Sequence, residues 1–375
     1  MKGFRIITPA LACSLGLALL LIAQDGPNTG GSETVARPKK GTAPAPEQKE
    51  APPIPSEFKK PKDLPAGIVT FSSEATTVSV DVAVLNNKGQ FIPKIPQGNF
   101  RILEDNVPQK VNSFSVGEAP MTIAMVVEFS NLFQQAGSES WNQTRAAAFG
   151  FAQTLQPQDY LAVVAFDLRP EILSDFSTDR RDAQEAFSRM TYAAYSESNM
   201  FDAVADTAQR MQDIEGRKAI LLIASGVDTF SKLTFAETRK IIQNSGVPIY
   251  AVGLLQAVRD IAYARGRMSD STNIAFLQAD NQMRTFAKES GGMSFFPQFY
   301  GQFHDIFQAI HQAMRSEYVL TYQPTNQAHD GKFRKIKVEL VDPANNQPLK
   351  ITENGKPIKY EIIAKSGYTA PRAVE

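Results

Sequence analysis

Residues 121–129 form an almost continuous apolar run, and this run constrains the fold more than any other part of the chain. A strand that is apolar on both faces belongs in the middle of a parallel sheet that helices cover on both sides. Similar short runs follow at 160–166, 219–224 and 247–254, and helical periodicity lies between them. The alternation predicts an α/β domain with a doubly wound, mainly parallel sheet.

The segments between the predicted strands carry helix signals. Thr234 and Glu237 have the spacing of a capping box, and Gly246 follows as a residue suited to end that helix. Residues 256–279 are interpreted as a surface insertion with partial helix. Further helices are predicted by their apolar spacing at 141–155, 181–190, 201–214, 283–288 and 303–314.

Short β-type segments flank this domain on both sides. Valine occupies every second position from Val78 to Val84, which is the period of a strand with one buried face. Neither flank contains enough strands to close a core alone. We therefore expect the flanks to pair into one small β-sandwich-like domain, with the α/β domain inserted in it. The other flanking strands are predicted at 100–104, 111–116, 318–322, 333–341 and 360–364.

The amino-terminal residues predict export. Lys2 and Arg5 precede an apolar run at 6–23, and polar residues follow, which is the organisation of a secretory signal peptide. Cleavage would produce a mature chain that starts near Gln24 or Asp25. The run is also long enough to serve as an uncleaved single-span anchor, the one membrane contact that we expect. The protein is expected outside the cytoplasm, in the periplasm, at the cell surface or secreted.

Composition and charge exclude some functions and indicate how the chain is divided into segments. Lys plus Arg equals Asp plus Glu at 39 each, so no basic excess indicates nucleic-acid binding. The single cysteine, Cys13, lies in the signal segment, so the mature chain would have no disulfide. The predicted parts are a signal peptide at 1–24, a disordered Pro- and Lys-rich linker at 25–66, β-domain segments at 67–118 and 318–372, and the α/β domain at 119–317.

Several motifs of the chain match a known family. They are the segments 89–114, 126–130, 221–229 and 286–296, and the runs Tyr318-Val-Leu-Thr-Tyr-Gln-Pro-Thr-Asn, Asp330-Gly-Lys-Phe-Arg-Lys-Ile-Lys-Val and Ser366-Gly-Tyr368. On these residues the chain resembles von Willebrand factor type A domains and, more closely, a bacterial family of exported proteins related to them. The resemblance covers most of residues 68–372, and it implies the same α/β fold.

The resemblance also implies where a metal would bind. Type A domains hold a divalent metal at the carboxyl edge of the sheet, through an Asp-x-Ser-x-Ser motif, a Thr of a second loop and an Asp after a later strand. The matching positions of the first motif are Glu128, Ser130 and Leu132. Ser198 and Ser225 stand in place of the Thr and the later Asp. Glu128 is therefore the one charged residue among these five positions.

These departures predict a degenerate metal site. Mg²⁺ gains most of its binding energy from carboxylates, and Leu132 cannot ligate a metal. A weak Mg²⁺ site would use Glu128, Ser130 and Ser198, with Asp228 as a substitute ligand, but we interpret the serines as loop residues hydrogen-bonded to the backbone. No tightly held cofactor is expected. The ligand-binding edge is predicted to consist of Glu128, Ser130, Asn131, Ser198, Ser225 and Asp228.

The sequence carries no signature of an enzyme. A nucleophile elbow, a phosphate-binding loop and a dinucleotide-binding motif are all missing from it, and His304, His311 and His329 do not form a metal-ligand pattern. We expect a non-enzymatic binding or scaffolding protein of the bacterial cell envelope, with a protein ligand at the carboxyl edge of the sheet. Two alternatives stay open, an accessory subunit of an envelope enzyme and a Mg²⁺-dependent adhesion protein.

Overall fold

The structure is a computed structural model that describes residues 77–372, apart from 88, 117–119, 132–137, 192, 194, 215, 316–317 and 354. The predicted signal peptide, the predicted linker and Leu132 lie outside the described residues. Within the described part of the chain, no helix has the length and apolar character needed to cross a membrane.

The described chain alternates strands and helices in its middle and contains strands at both ends. The strands are β1 (Val78–Asn86), β2 (Phe100–Glu104), β3 (Val107–Gln109), β4 (Val111–Val116), β5 (Met121–Glu128), β6 (Tyr160–Phe166), β7 (Pro170–Ser177), β8 (Arg217–Ala224), β9 (Ile249–Gly253), β10 (Ser294–Phe295), β11 (Tyr318–Tyr322), β12 (Phe333–Leu340), β13 (Ile351–Glu353), β14 (Lys356–Ile358), β15 (Tyr360–Ala364) and β16 (Gly367–Thr369). The helices are α1 (Ser138–Thr154), α2 (Arg180–Arg189), α3 (Met200–Gln212), α4 (Phe235–Ser245), α5 (Gln256–Ala264), α6 (Asp270–Ser290) and α7 (Phe303–Arg315).

The central sheet has six strands in the order β10-β9-β8-β5-β6-β7. All neighbours are parallel except β6 and β7, which pair antiparallel at one edge. In the middle strand, Val126 lies in register with Val164 of β6 and Leu222 of β8. Every residue of β5 is buried, as its apolar sequence predicts. The predicted doubly wound, mainly parallel sheet is confirmed.

Helices cover both faces of this sheet. On one face α1, α2 and α7 bury aromatic side chains such as Phe151 and Phe307 against Met125. On the other face α3, α4 and α6 bury side chains such as Phe286 against Val126. Each fully buried side chain of this size contributes roughly 1.5–3 kcal/mol through removal of apolar surface from water. The two cores therefore hold the helices against both faces of the sheet.

Helix α4 begins and ends as its sequence predicts. Thr234 accepts a hydrogen bond from the backbone N–H of Glu237, and the Glu237 side chain accepts one from the backbone N–H of Thr234, so the capping box is complete. Gly246 follows in the left-handed conformation, with φ of 63°. Local signals at the two ends are thus sufficient to define this helix.

The predicted insertion at 256–279 is more regular than its sequence indicates. It contains α5 and the first half of α6, and α6 continues without a break through the predicted helix at 283–288. Arg259 of α5 forms a buried ion pair with Asp280 of α6. Because this pair joins residues 21 positions apart, helical periodicity alone could not reveal it.

The flanking strands form a two-sheet β unit from both ends of the described chain. One sheet has the order β15-β1-β11-β4 and the other has the order β16-β12-β2-β3. Val78 lies opposite Tyr322, and Ile102 lies opposite Val338, so each sheet pairs a strand from before the α/β domain with a strand from after it. The pairing between flanks that the sequence predicts is therefore present.

The core of the β unit contains a buried carboxylate with tyrosine partners. Glu104 accepts hydrogen bonds from the hydroxyls of Tyr322 at 2.6 Å and Tyr368 at 3.0 Å. Burial, followed by the hydrogen bond to Glu104, raises the pKa of Tyr322. These bonds join β2, β11 and β16, so they connect the two sheets through side chains as well as through the apolar core.

Candidate functional site at the carboxyl edge of the sheet

Glu128 lies at the carboxyl end of β5 and is completely buried. Its two carboxylate oxygens accept hydrogen bonds from different loops. The Ser130 hydroxyl donates to Oε1 at 2.8 Å, while the backbone N–H and the hydroxyl of Ser225 both donate to Oε2 at 2.7 Å. The sheet thus brings Glu128, Ser130 and Ser225 into direct contact, because parallel strands end at a common edge.

The environment of Glu128 disfavours its charged form. Burial is the main cause, and it raises the pKa of Glu128, while the hydrogen bonds from Ser225 and Ser130 act in the opposite direction. The nearby carboxylate of Asp228 raises the pKa of Glu128 further. Within the described residues no cation forms an ion pair with Glu128. The group is therefore stabilised by hydroxyl and amide donors alone.

Ser198 belongs to a second loop that is hydrogen-bonded to the loop after β8. Its backbone N–H donates to Oγ1 of Thr229 at 2.9 Å, and its carbonyl accepts from the N–H groups of Thr229 at 2.8 Å and Phe230 at 3.0 Å. The Ser198 hydroxyl is buried and has no hydrogen-bond partner in the described chain. Ser198 therefore joins the loop framework through its backbone, and its side chain does not contact Glu128 by a hydrogen bond.

Asp228 caps the amino end of α3. Its Oδ2 accepts from the backbone N–H of Phe201 at 2.9 Å and from the Ser231 hydroxyl at 2.6 Å. An acceptor at this position satisfies one of the unpaired N–H groups of the first helical turn. Burial is the largest influence on Asp228 and raises its pKa. Its carboxylate is thus committed to holding α3 against the loop.

The first loop is connected to the second loop by one backbone bond and to the end of β6 by another. The N–H of Asn131 donates to the carbonyl of Tyr195 at 2.6 Å, and the N–H of Phe129 donates to the carbonyl of Phe166 at 2.8 Å. Together with the bonds at Ser198, these contacts join three loops at one edge of the sheet. The six residues predicted for the ligand-binding edge therefore all lie in one hydrogen-bonded framework.

A family model described as the von Willebrand factor type A domain matches residues 123–309. The match spans β5 to α7, which is the doubly wound domain, and it includes the three edge loops. This chain contains a von Willebrand factor type A domain. The β unit lies outside the matched residues, since its strands come from 78–116 and 318–369.

Several solved structures resemble the chain at low sequence identity. Proximal thread matrix protein 1 from the mussel byssus is 13% identical over 56% of this chain, with a TM-score of 0.42, and the match spans about half (51%) of that protein. BatB from Bacteroides thetaiotaomicron is 14% identical over 52% of this chain and 100% of its own, with a TM-score of 0.38. A von Willebrand factor type A protein from Catenulispora acidiphila is 13% identical over 79% of this chain and 75% of its own, with a TM-score of 0.40. Comparison with curated protein sequences gives no match.

The oxygen-bearing side chains at this edge of the type A domain do not fit the ligand set of a Mg²⁺ site. Mg²⁺ requires near-octahedral oxygen ligands and draws its affinity from carboxylates. Both oxygens of Glu128 already accept hydrogen bonds, and both oxygens of Asp228 accept from the α3 cap and Ser231. Among the residues that the structure describes, no group of three or more His, Cys, Asp or Glu could hold a metal ion.

Two exposed aromatic residues at the edge were not among the predicted site residues. Tyr195 is 50% exposed and Phe230 is 57% exposed. The backbone of each belongs to the framework described above, through Asn131 for the first and Ser198 for the second. The polar setting of Phe230, between Thr229 and Ser231, is a signal in the sequence that this ring lies on a loop surface.

Proposed function

We propose that this chain is an extracytoplasmic binding or scaffolding protein of the bacterial cell envelope, and that it engages a protein partner through the carboxyl edge of its type A domain. Domains of this family generally mediate protein–protein interaction. The observation that carries the proposal is the exposure of Tyr195 and Phe230 on loops that are hydrogen-bonded to one another.

Exposed aromatic rings are suited to anchoring a protein partner. Tyrosine and phenylalanine are enriched in protein interfaces, because each buries a large area while few side-chain rotations are lost. In type A domains with a complete metal site, the metal supplies the attachment point for an acidic ligand residue. The aromatic pair offers apolar area in the same region, where both carboxylate oxygens of Glu128 already accept hydrogen bonds.

The hydrogen bonds between the loops favour binding further. A partner that binds mobile loops must offset the entropy of ordering them, whereas loops that are already joined avoid most of this cost. Ser198 provides three of these bonds through its backbone and Asp228 fixes the start of α3. We therefore propose that the edge binds its partner as a preformed surface that needs no metal.

The predicted export signal at the amino terminus supports the assignment to the cell envelope. The charged residues Lys2 and Arg5 and the apolar run at 6–23 are typical of a secretory signal peptide. Amino-terminal sequencing of protein from fractionated cells is the direct test, with a first residue near Gln24 or Asp25 as the expected result. Recovery of the intact amino terminus from the cytosol would contradict this part of the proposal.

The binding surface can be tested by capture from envelope extracts with the purified chain and two variants, Tyr195→Ser and Phe230→Ser. Phe333→Ser is a matched control, since Phe333 is also exposed but lies on β12 of the β unit. We expect each edge variant to lose the captured partner, while the control and the chelator-treated chain retain it. Capture that is insensitive to both edge variants, or that chelator abolishes, would contradict the proposal.

A further inference from the structure

Strand β15 forms one edge of its sheet and pairs with β1 alone in the described chain. Val84 of β1 lies opposite Ile362, but the Val84 carbonyl accepts from the N–H of Ile92 at 2.8 Å on the other side of β1. Hydrogen-bonded and non-bonded pairs alternate along antiparallel strands, so β1 exchanges its bonds with Glu361 and Ile363. The N–H and carbonyl of Ile362 consequently point to the open side.

A cleft of about 840 Å³ lies along this open side, and we name it the seam cleft. It is lined by residues 361–366 at the end of β15, by residues 336–338 of β12, and by the carboxyl half of α6 with the residues that follow it. Strand β16 covers β12 only at Phe333–Lys335, so at Val338 the second sheet also lacks a neighbouring strand on this side. The seam cleft therefore runs between two strand edges.

The seam cleft has an excess of positive charge. Its cations Arg284 and Lys288 form no ion pair with any described residue, whereas Lys337 is paired with Glu339 and Lys365 interacts with Asp81. Its acidic residues are Glu361 and Glu289, and Glu289 is already paired with Arg239. Arg284 lies over the ring of Phe296, with its guanidinium 3.9 Å from the ring centroid. Stacking holds the guanidinium plane without using its N–H donors, which leaves them available for a carboxylate.

We propose that the seam cleft binds an extended, acidic peptide segment of a partner protein by strand addition to β15. An unpaired strand edge is a template for another strand, and most proteins block such edges with Pro, bulges or covering elements. Here Ile362 directs its N–H and carbonyl to a cleft of sufficient volume, and unpaired cations line that cleft. This surface is separate from the carboxyl edge of the type A domain.

The geometry also defines the pattern of the bound segment. Main-chain hydrogen bonds to Ile362 would supply affinity, and alternate side chains would point to opposite faces. Among the lining residues, the largely buried Ile336 and Val338 would face one side of an added strand, and Arg284 and Lys288 would face the other. The preferred segment thus alternates apolar and acidic residues, over the roughly 17 Å that five residues span.

The test uses the full chain and a synthetic peptide of about six residues in which valine and glutamate alternate. Binding is measured calorimetrically for the peptide and for two forms that are N-methylated either on every valine or on every glutamate. Only one set of N–H groups can face β15 when the side-chain pattern sets the register. We expect one methylated form to bind about ten-fold more weakly and the other to bind within about three-fold of the parent. Equal affinities of the two forms would overturn strand addition.

Charge selection is tested with the double variant Arg284→Glu and Lys288→Glu. We expect it to bind the valine–glutamate peptide about ten-fold more weakly and to gain binding of a valine–lysine peptide. The matched control is Arg265→Glu with Arg267→Glu, which changes the same charge on the exposed turn between α5 and α6. The proposal fails if both double variants change binding equally, or if neither changes it.

Discussion

Ser225 donates two hydrogen bonds to one carboxylate oxygen of Glu128, from its backbone N–H and from its hydroxyl, each at 2.7 Å. The two residues are 97 positions apart and follow neighbouring parallel strands. Ser130 donates to the other oxygen. Glu128 thereby acts as a buried acceptor that joins the first and third edge loops, at the position where type A domains with a complete motif carry a metal ligand.

Comparing Glu128→Ala with Glu128→Gln should show whether Glu128 stabilises the fold as a hydrogen-bond acceptor or through its charge. Glu128→Ala leaves the buried N–H of Ser225 without its acceptor, which costs about 2–3 kcal/mol of unfolding free energy. Glu128→Gln keeps an acceptor for Ser225 and can donate its amide to Ser130, so we expect a loss of at most about 1 kcal/mol. Chemical denaturation of both variants measures the difference. Equal losses in the two variants would contradict the acceptor role.

The unfolding free energy should depend on pH through Glu128. Its pKa is raised in the folded state, mainly by burial. Between the unfolded and the folded pKa the native state binds more protons, so this contribution to stability is complete below the unfolded pKa and is lost as pH rises through the folded pKa. Denaturation of wild type and Glu128→Gln across this window should show the variant gaining relative stability with rising pH. If the difference in unfolding free energy between wild type and Glu128→Gln were constant with pH, the predicted titration of Glu128 would be contradicted.

The residues at the carboxyl edge of the sheet should bind Mg²⁺ and Mn²⁺ weakly or not at all. A single buried carboxylate with three internal donors does not offset the dehydration of a small dication. We expect calorimetric titration to show no binding at micromolar concentrations for either metal. Micromolar binding that Glu128→Ala abolishes would show that the edge does hold a metal. Binding that survives this substitution would direct attention to Asp228 and to Asp202, a residue of α3 whose carboxylate accepts from the backbone N–H groups of Lys232 and Leu233.

Gly226 should be required for stability, because it lies in the loop after β8 at the point where that loop contacts α6. Its φ is +82°, and a Cβ atom there would lie 2.8 Å from Sδ of Met283 and 3.0 Å from the carbonyl oxygen of Ala279. Gly226→Ala should therefore cost about 2–3 kcal/mol, from the left-handed backbone and from the clash with main chain. Gly266→Ala is the matched control, because Gly266 has φ of +64° in open space and should lose only about 1 kcal/mol. Thermal unfolding compares them, and equal shifts would contradict a steric role.

Local patterns in the sequence were sufficient for most of the fold. The apolar run of β5, the valine alternation of β1 and the capping box of α4 depend on residues within a few positions of one another. Their periods decide whether a segment is a strand or a helix and which face it buries. The pairing of the two flanks also followed, because neither contains enough strands for a core.

Part of the candidate site followed from the same reasoning. The carboxyl ends of parallel strands share an edge, so Glu128 and Ser225, which lie at or just after the ends of two predicted strands, could be assigned to the same edge. The family resemblance indicated which residues occupy the motif positions. Neither source indicated that Ser225 donates twice to Glu128, or that the Ser198 hydroxyl stays without a partner while its backbone joins two loops.

The sequence by itself determined the order and type of the elements in this protein, since these depend on short-range periodicity and on capping residues. Only the tertiary structure decided which side chains meet, which strand edges stay open and which aromatic rings reach solvent. Phe230 lies on a loop that is bonded to Ser198 of another loop, and the open edge at Ile362 depends on the register between β1 and β15, which are far apart in the chain. Register is set by how whole faces pack together, because a shift of one residue exchanges the buried and exposed sides of a strand.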